Sequence, residues 1–167
     1  FENWENRIFY EEPESWNTSN TESFTEDTVS AYKVSDSYSG EYALRLTSVL
    51  LENDTLAGYS FCMGSYAGGN INDTLLFNGG FPVSGTPDSL FGYFKYGISP
   101  DDSAIVFVSF KKNGIIIGQD IFAITGNQNV YTKLKWAINP MPETPDTAVI
   151  AFACTNPDFP KPGSWLQ

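Results

Sequence analysis

Twenty carboxylates and no histidine decide which chemistry this chain can attempt. Without an imidazole there is no Ser-His or Cys-His nucleophile pair and no histidine-based metal site. The two cysteines, Cys62 and Cys154, fall short of an all-thiolate zinc site. They could form one disulfide or stand as two buried apolar side chains, and sequence alone leaves both readings open. No phosphate-cradling G-x-x-x-x-G-K-[ST] loop and no G-x-G-x-x-G turn occurs. Glycoside hydrolysis stays formally open, because it asks only for two carboxylates about 5–5.5 Å or 6.5–9.5 Å apart. Most of the acids, Asp54, Asp73, Asp101 and Asp102 among them, fall in turn-like or polar stretches where water solvates them. The chain is therefore read as a non-enzyme.

Holding a sugar demands less than cutting one. An aromatic ring covers the apolar side of a pyranose, and amides, hydroxyls and carboxylates hold its rim. Trp16 with Asn17, Ser19 and Asn20 has that composition, in the run PESWNTSN. So does Tyr66 with Asn70 and Asn72, in the glycine-rich run GSYAGGNINDTLLFNGG. Trp16, Asn20, Tyr66 and Asn70 are the expected ligand-binding residues. Either aromatic could instead be a lid tucked over the core. Tyr93 and Tyr131, with Lys95, Lys133 and Lys135 around them, offer a rival surface or read as cross-strand pairs.

Such residues need a frame to hold them, and the frame reads as β-structure throughout. Ser89–Tyr96 alternates Leu90, Gly92, Phe94 and Tyr96 against Phe91, Tyr93 and Lys95. Period-two alternation after a glycine- and proline-rich turn is a strand signal. The spacing predicts further strands over Thr28–Val34, Glu41–Val49, Leu56–Met63, Ala104–Lys111, Gly114–Ile124, Val130–Ile138 and Thr147–Cys154. Ala104–Phe110 is nearly all apolar, so it is expected to be central and covered on both faces. Asn113-Gly114 predicts a type I′ hairpin turn, because both positions tolerate positive φ. No amphipathic helix is evident. Glu11–Asp27 and Gly64–Gly80 lack strand character and read as long covers or binding loops.

A chain of 167 residues fits one domain over 1–167, and about eight or nine strands at this spacing predict an all-β, antiparallel two-sheet β-sandwich of jelly-roll type. The formal charge of −11 argues against nucleic acid and anionic membranes as partners. No apolar run is long enough to cross a membrane as a helix. The opening Phe1-Glu2-Asn3-Trp4, without an initiator Met, reads as a segment of a longer protein.

Several motifs carry a family resemblance. FENW, PESWNTSN, VSDSYSGEYALRLTS, GGFPVSGTPDSLFGYFKY and PDTAVIAFA together resemble the carbohydrate metabolism domain (PCMD) of Bacteroidetes secreted proteins. More loosely they are similar to the calcium-containing jelly-roll carbohydrate-binding modules. The resemblance implies a secreted or cell-surface module, a monomer, that binds a polysaccharide or other glycan, or mediates adhesion. The alternatives are a structural spacer or protein-interaction module and, last, a glycoside hydrolase. It also implies a structural Ca2+ held by Glu2 with backbone oxygens near Ser39 and Gly40, although the Asp-Asp that usually completes such a site is not in the sequence. A second resemblance lies in Asp-Ser/Thr-apolar triplets such as Asp54-Thr55-Leu56 and Asp88-Ser89-Leu90. These look like the O-glycosylation sequon of the same group of bacteria, and equally like local turn bonds.

Overall fold

The computed structural model describes residues 1–7, 9–52, 54–62 and 79–167. In chain order the described strands are β1 (Trp4–Asn6), β2 (Glu11–Pro13), β3 (Trp16–Thr18), β4 (Ala31–Val34), β5 (Ala43–Thr47), β6 (Val49–Leu50), β7 (Thr55–Leu56) and β8 (Tyr59–Cys62). Then follow β9 (Phe81–Pro82), β10 (Ser89–Gly97), β11 (Ala104–Lys112), β12 (Ile115–Ile124), β13 (Asn127–Ala137), β14 (Thr147–Ala153) and β15 (Trp165–Leu166). The helical content described is one short turn, α1 (Asn20–Ser23), running into a 3-10 turn.

Two sheets form the antiparallel sandwich. One runs β13-β10-β15-β5-β4, the other β12-β11-β14-β8-β3 with β9 on β14. Leu44, Leu46, Leu166, Phe94, Leu134 and Trp136 of the first sheet pack on Val106, Ile124, Phe122 and Phe152 of the second. This is what the alternation demands: inward side chains leave water together. β11 is buried on both faces, with Val106 and Val108 on one side and Phe107 and Ser109 on the other. The Asn113-Gly114 turn closes the β11–β12 hairpin, with φ of 51° and 79°.

Where the observed strands depart from the sequence reading, a local bond explains it. The Thr28–Val34 run starts pairing only at Ala31, because the Ser30 and Ala31 N–H groups both donate to Asn20 Oδ1. The Glu41–Val49 run breaks at Ser48, whose N–H and Oγ both donate to the Ser164 carbonyl. The Leu56–Met63 run breaks around Gly58, which lies against the Thr47 and Ser30 backbones with no room for a Cβ. Glu11–Asp27, read as strandless, supplies β2, β3 and α1. Its β3 extends the second sheet along β8, with Trp16 opposite Cys62.

The cysteines are free and buried in different clusters. Burial pushes the Cys154 thiol up to about 12 and raises that of Cys62, so both are inert apolar packing groups. No described helix is long and apolar enough to cross a membrane.

Candidate functional site

The first sheet has an outer face unlike the rest of the molecule. Because Leu44, Leu46, Phe94, Leu134 and Leu166 point inward, strand alternation turns Arg45, Tyr93, Lys95, Lys133 and Trp165 outward. Register sets Tyr93 beside Lys133 and Phe91 beside Lys135. The connection from β4 to β5 then lays Tyr38 on this face. Its ring stacks on Tyr93 with centroids 3.6 Å apart and meets Tyr131 edge-on at 6.1 Å. Tyr38 is 54% exposed, so the side of the ring away from Tyr93 is open to solvent.

Polar bonds hold the connection down. Tyr131 Oη and Gln167 Nε2 both donate to the Asp36 carbonyl, at 2.6 Å each, and Gln167 Nε2 also reaches Tyr131 Oη. Lys95 Nζ donates to the Asp36 carboxylate and lies 4.7 Å from the Tyr131 ring centre. That hydrogen bond, reinforced by the ammonium charge, holds the Asp36 carboxyl below its ordinary value. Hydrogen bonding with Tyr93 pushes the Tyr38 phenol up.

Beside the tyrosines the sheet opens. β15 lies between β5 and β10 for two residues, extended by one backbone pair in which Lys95 and Gln167 exchange both bonds at 2.8 Å. Beyond that pair no described strand separates β5 from β10. A hollow of about 250 Å3 is found there, floored by Leu44, Phe94 and Phe152 and rimmed by Ser37, Ser39, Tyr38 and Glu2.

Glu2, Ser39 and Gly40 come together across nearly forty residues of chain, at the edge of this hollow. Glu2 Oε2 accepts the Glu41 N–H at 3.0 Å. Gly40 has φ of 74°, and a Cβ on it would run into the Glu2 carboxylate. Glycine is thus required here on two counts. As a calcium set these residues fall short. The ion takes about six to eight oxygen ligands, Glu2 brings one carboxylate already engaged by an N–H, and no cluster of three acidic, cysteine or histidine side chains occurs among the described residues.

The other expected ligand residues part company. Trp16 is half-buried, 5.0 Å from the Phe1 ring and 5.8 Å from Phe152, and it packs against the Phe61–Val149 cluster. One edge of it lines shallow surface hollows with Asn17, Ser15 and Glu14. Asn20 is a correction. It is fully buried, its Nδ2 donating to the Ala31 carbonyl and its Oδ1 accepting from Ser30 and Ala31. With Ser19, Ser23 and Ser30 it forms a polar lock that pins α1 to β4. A side chain with no exposed surface cannot meet a sugar. Tyr66, Asn70 and Asn72 lie outside the described residues.

Sequence reading missed Tyr38 and Gln167. Tyr38 sits in SDSYSG, a serine-rich turn with no alternation to mark it, and Gln167 follows a two-residue strand. The available signal was the Tyr93–Lys95 and Tyr131–Lys135 pattern, since a ring on an outward face needs a cover or a ligand. The Asp-Ser/Thr triplets do make turn bonds. Asp54, Asp88, Asp102 and Asp146 each bind the N–H or hydroxyl of the next residue at 2.7–2.9 Å.

No family model and no curated protein matches the chain, so membership of the PCMD family finds no support there. Among solved structures it is similar to a "Family 16 Carbohydrate Binding Module-2", with 12% identity and a TM-score of 0.42 over 82% of this chain and 79% of that one. So loose a likeness bears on neither the ligand nor the site. The sandwich rests on the strand pairing itself.

Proposed function

We propose that this domain is a non-catalytic carbohydrate-binding module of a secreted or cell-surface protein, acting as a monomer, with Tyr38 as the platform for a sugar ring. One observation carries the reading: an exposed tyrosine held rigidly on a second tyrosine, beside a hollow with hydroxyl and carboxylate rims. Stacking one ring on another fixes its orientation before the ligand arrives, which lowers the ordering cost of binding. Serines 37 and 39 and Glu2 are placed to bond the rim of a bound sugar.

Three carboxylates are unsuited to the part of a glycosidase acid. Each described carboxylate with a shifted pKa, namely Asp36, Asp102 and Asp146, is shifted down. A glycosidase acid must be shifted up to keep its proton near neutrality.

A glycan array and a pull-down on insoluble polysaccharides test the proposal. Retention of the protein that falls at least tenfold in Tyr38→Ala, with the unfolding midpoint kept, supports it. No retention on any glycan ends it in favour of a spacer. Hydrolysis of a chromogenic glycoside, lost on changing one carboxylate, makes the protein an enzyme instead.

A further inference from the structure

The charge on the tyrosine face is opposite to that of the molecule. The chain carries 9 basic and 20 acidic residues. The strands of the first sheet hold Lys33, Arg45, Lys95, Lys133 and Lys135 and not one Asp or Glu. Four of these cations share the outer face, where Asp36, on Lys95, is the acid in contact.

Two of the cations there rest on rings rather than on carboxylates. Lys133 Nζ lies 4.3 Å from the Phe91 ring centre, and the Arg45 guanidinium 4.2 Å from that of Trp165. A ring attracts a cation without cancelling its charge, and leaves its N–H groups free to meet an anion. Arg45 Nε is moreover buried and has no hydrogen-bond partner. Arg45 as a whole is only half-buried, so the rest of its guanidinium keeps its charge for an anion on this face.

We infer that the ligand of this face is an acidic polysaccharide bearing carboxylates, of the uronate class, laid across β10 and β13 with a sugar ring on Tyr38 and its carboxylates on Lys133, Lys135 and Arg45. This rests on the carbohydrate-binding reading above and adds the charge of the ligand to it. Lys133 and Lys135 project from alternate positions of one strand, about 7 Å apart. Nucleic acid, with a charge every ~1.7 Å of duplex, meets too few cations here and is repelled by the remaining surface.

The test is affinity electrophoresis of the intact 167-residue protein through gels containing polygalacturonate, dextran sulfate, mannan or single-stranded DNA, at low and high NaCl. Retardation by polygalacturonate that weakens with salt is expected. It should fall at least tenfold in the double variant Lys133→Glu with Lys135→Glu, while Lys161→Glu behaves as the parent. Circular dichroism of each variant confirms that the fold is kept; should the double variant misfold, Lys133→Gln takes its place, with a severalfold loss expected. Equal retardation by mannan, indifferent to salt and to the lysine changes, overturns the acidic ligand and leaves the carbohydrate reading standing. Retardation confined to dextran sulfate or to DNA overturns the carboxylate class. No retardation by any polysaccharide removes both readings.

Discussion

Asp102 and Asp36 are both held below the ordinary carboxylate range, and by opposite means. Asp102 is buried where the β10–β11 connection meets the segment before β15. Burial alone would raise its pKa, but the Ser164 and Thr155 hydroxyls at 2.6 Å and the Asn156 and Ser103 N–H groups outweigh it. Asp36 stands in solvent and is held by one cation, Lys95. The first is a charge neutralised by oriented dipoles, which ties three chain segments into one unit. The second is a charge balanced by one ammonium at the surface, for which an incoming anion can compete. The contrast separates the part of the molecule that makes the fold from the part available to a ligand.

The sharpest way to break the comparison is Asp102→Ala. It leaves two buried hydroxyls and two N–H groups without their acceptor and should cost on the order of 3 kcal/mol, read as a lower urea midpoint at unchanged slope. Any fraction that stays folded should bind glycan as the parent does.

Gly40→Ala should come next. It forces a Cβ at φ of 74° against Glu2, costing about 1–2 kcal/mol, and it disturbs the hollow's rim, so stability and glycan retention should fall together. If only one of them falls, the Glu2–Gly40 contact does not belong to the site.

Acid should act through Asp102. Its folded pKa is lowered, so near pH 4 the unfolded chain binds more protons and stability rises with pH. The contribution is complete above the unfolded value of about 3.9 and is lost as pH falls through the folded one. Asp102→Asn should therefore flatten the acid limb of the stability curve below about pH 4. An unchanged limb would place the acid sensitivity elsewhere.

Asp36→Asn should leave the unfolding midpoint where it is, yet strengthen retention on polygalacturonate by freeing Lys95. Smallest of all is calcium: excess ion or chelator should leave the midpoint unmoved, since Glu2 offers one carboxylate. A rise with calcium would show that oxygens other than those of the described acidic side chains complete a cage.

Alternation told the sequence reader which runs pair and which side of each faces the core, because burying every second side chain is a local property of a strand. It told the hairpin at Asn113-Gly114 and the doubly covered β11 for the same reason. It also made a surface of Tyr93, Tyr131 and the lysines, without saying what would lie on it. It could not find β3, β9 or β15, which are too short to alternate and exist because a neighbouring strand offers them hydrogen bonds. Asn20 shows the limit most plainly. Its composition suits a sugar site, and only the fold, by bringing Ser30 and Ala31 to its amide, makes it an internal brace. Tyr38 is the reverse case, a turn residue with no pattern that becomes a platform once Tyr93 lies beneath it. What residues do in pairs along one strand is written in their order; what they do across forty or ninety positions depends on which surfaces folding sets face to face.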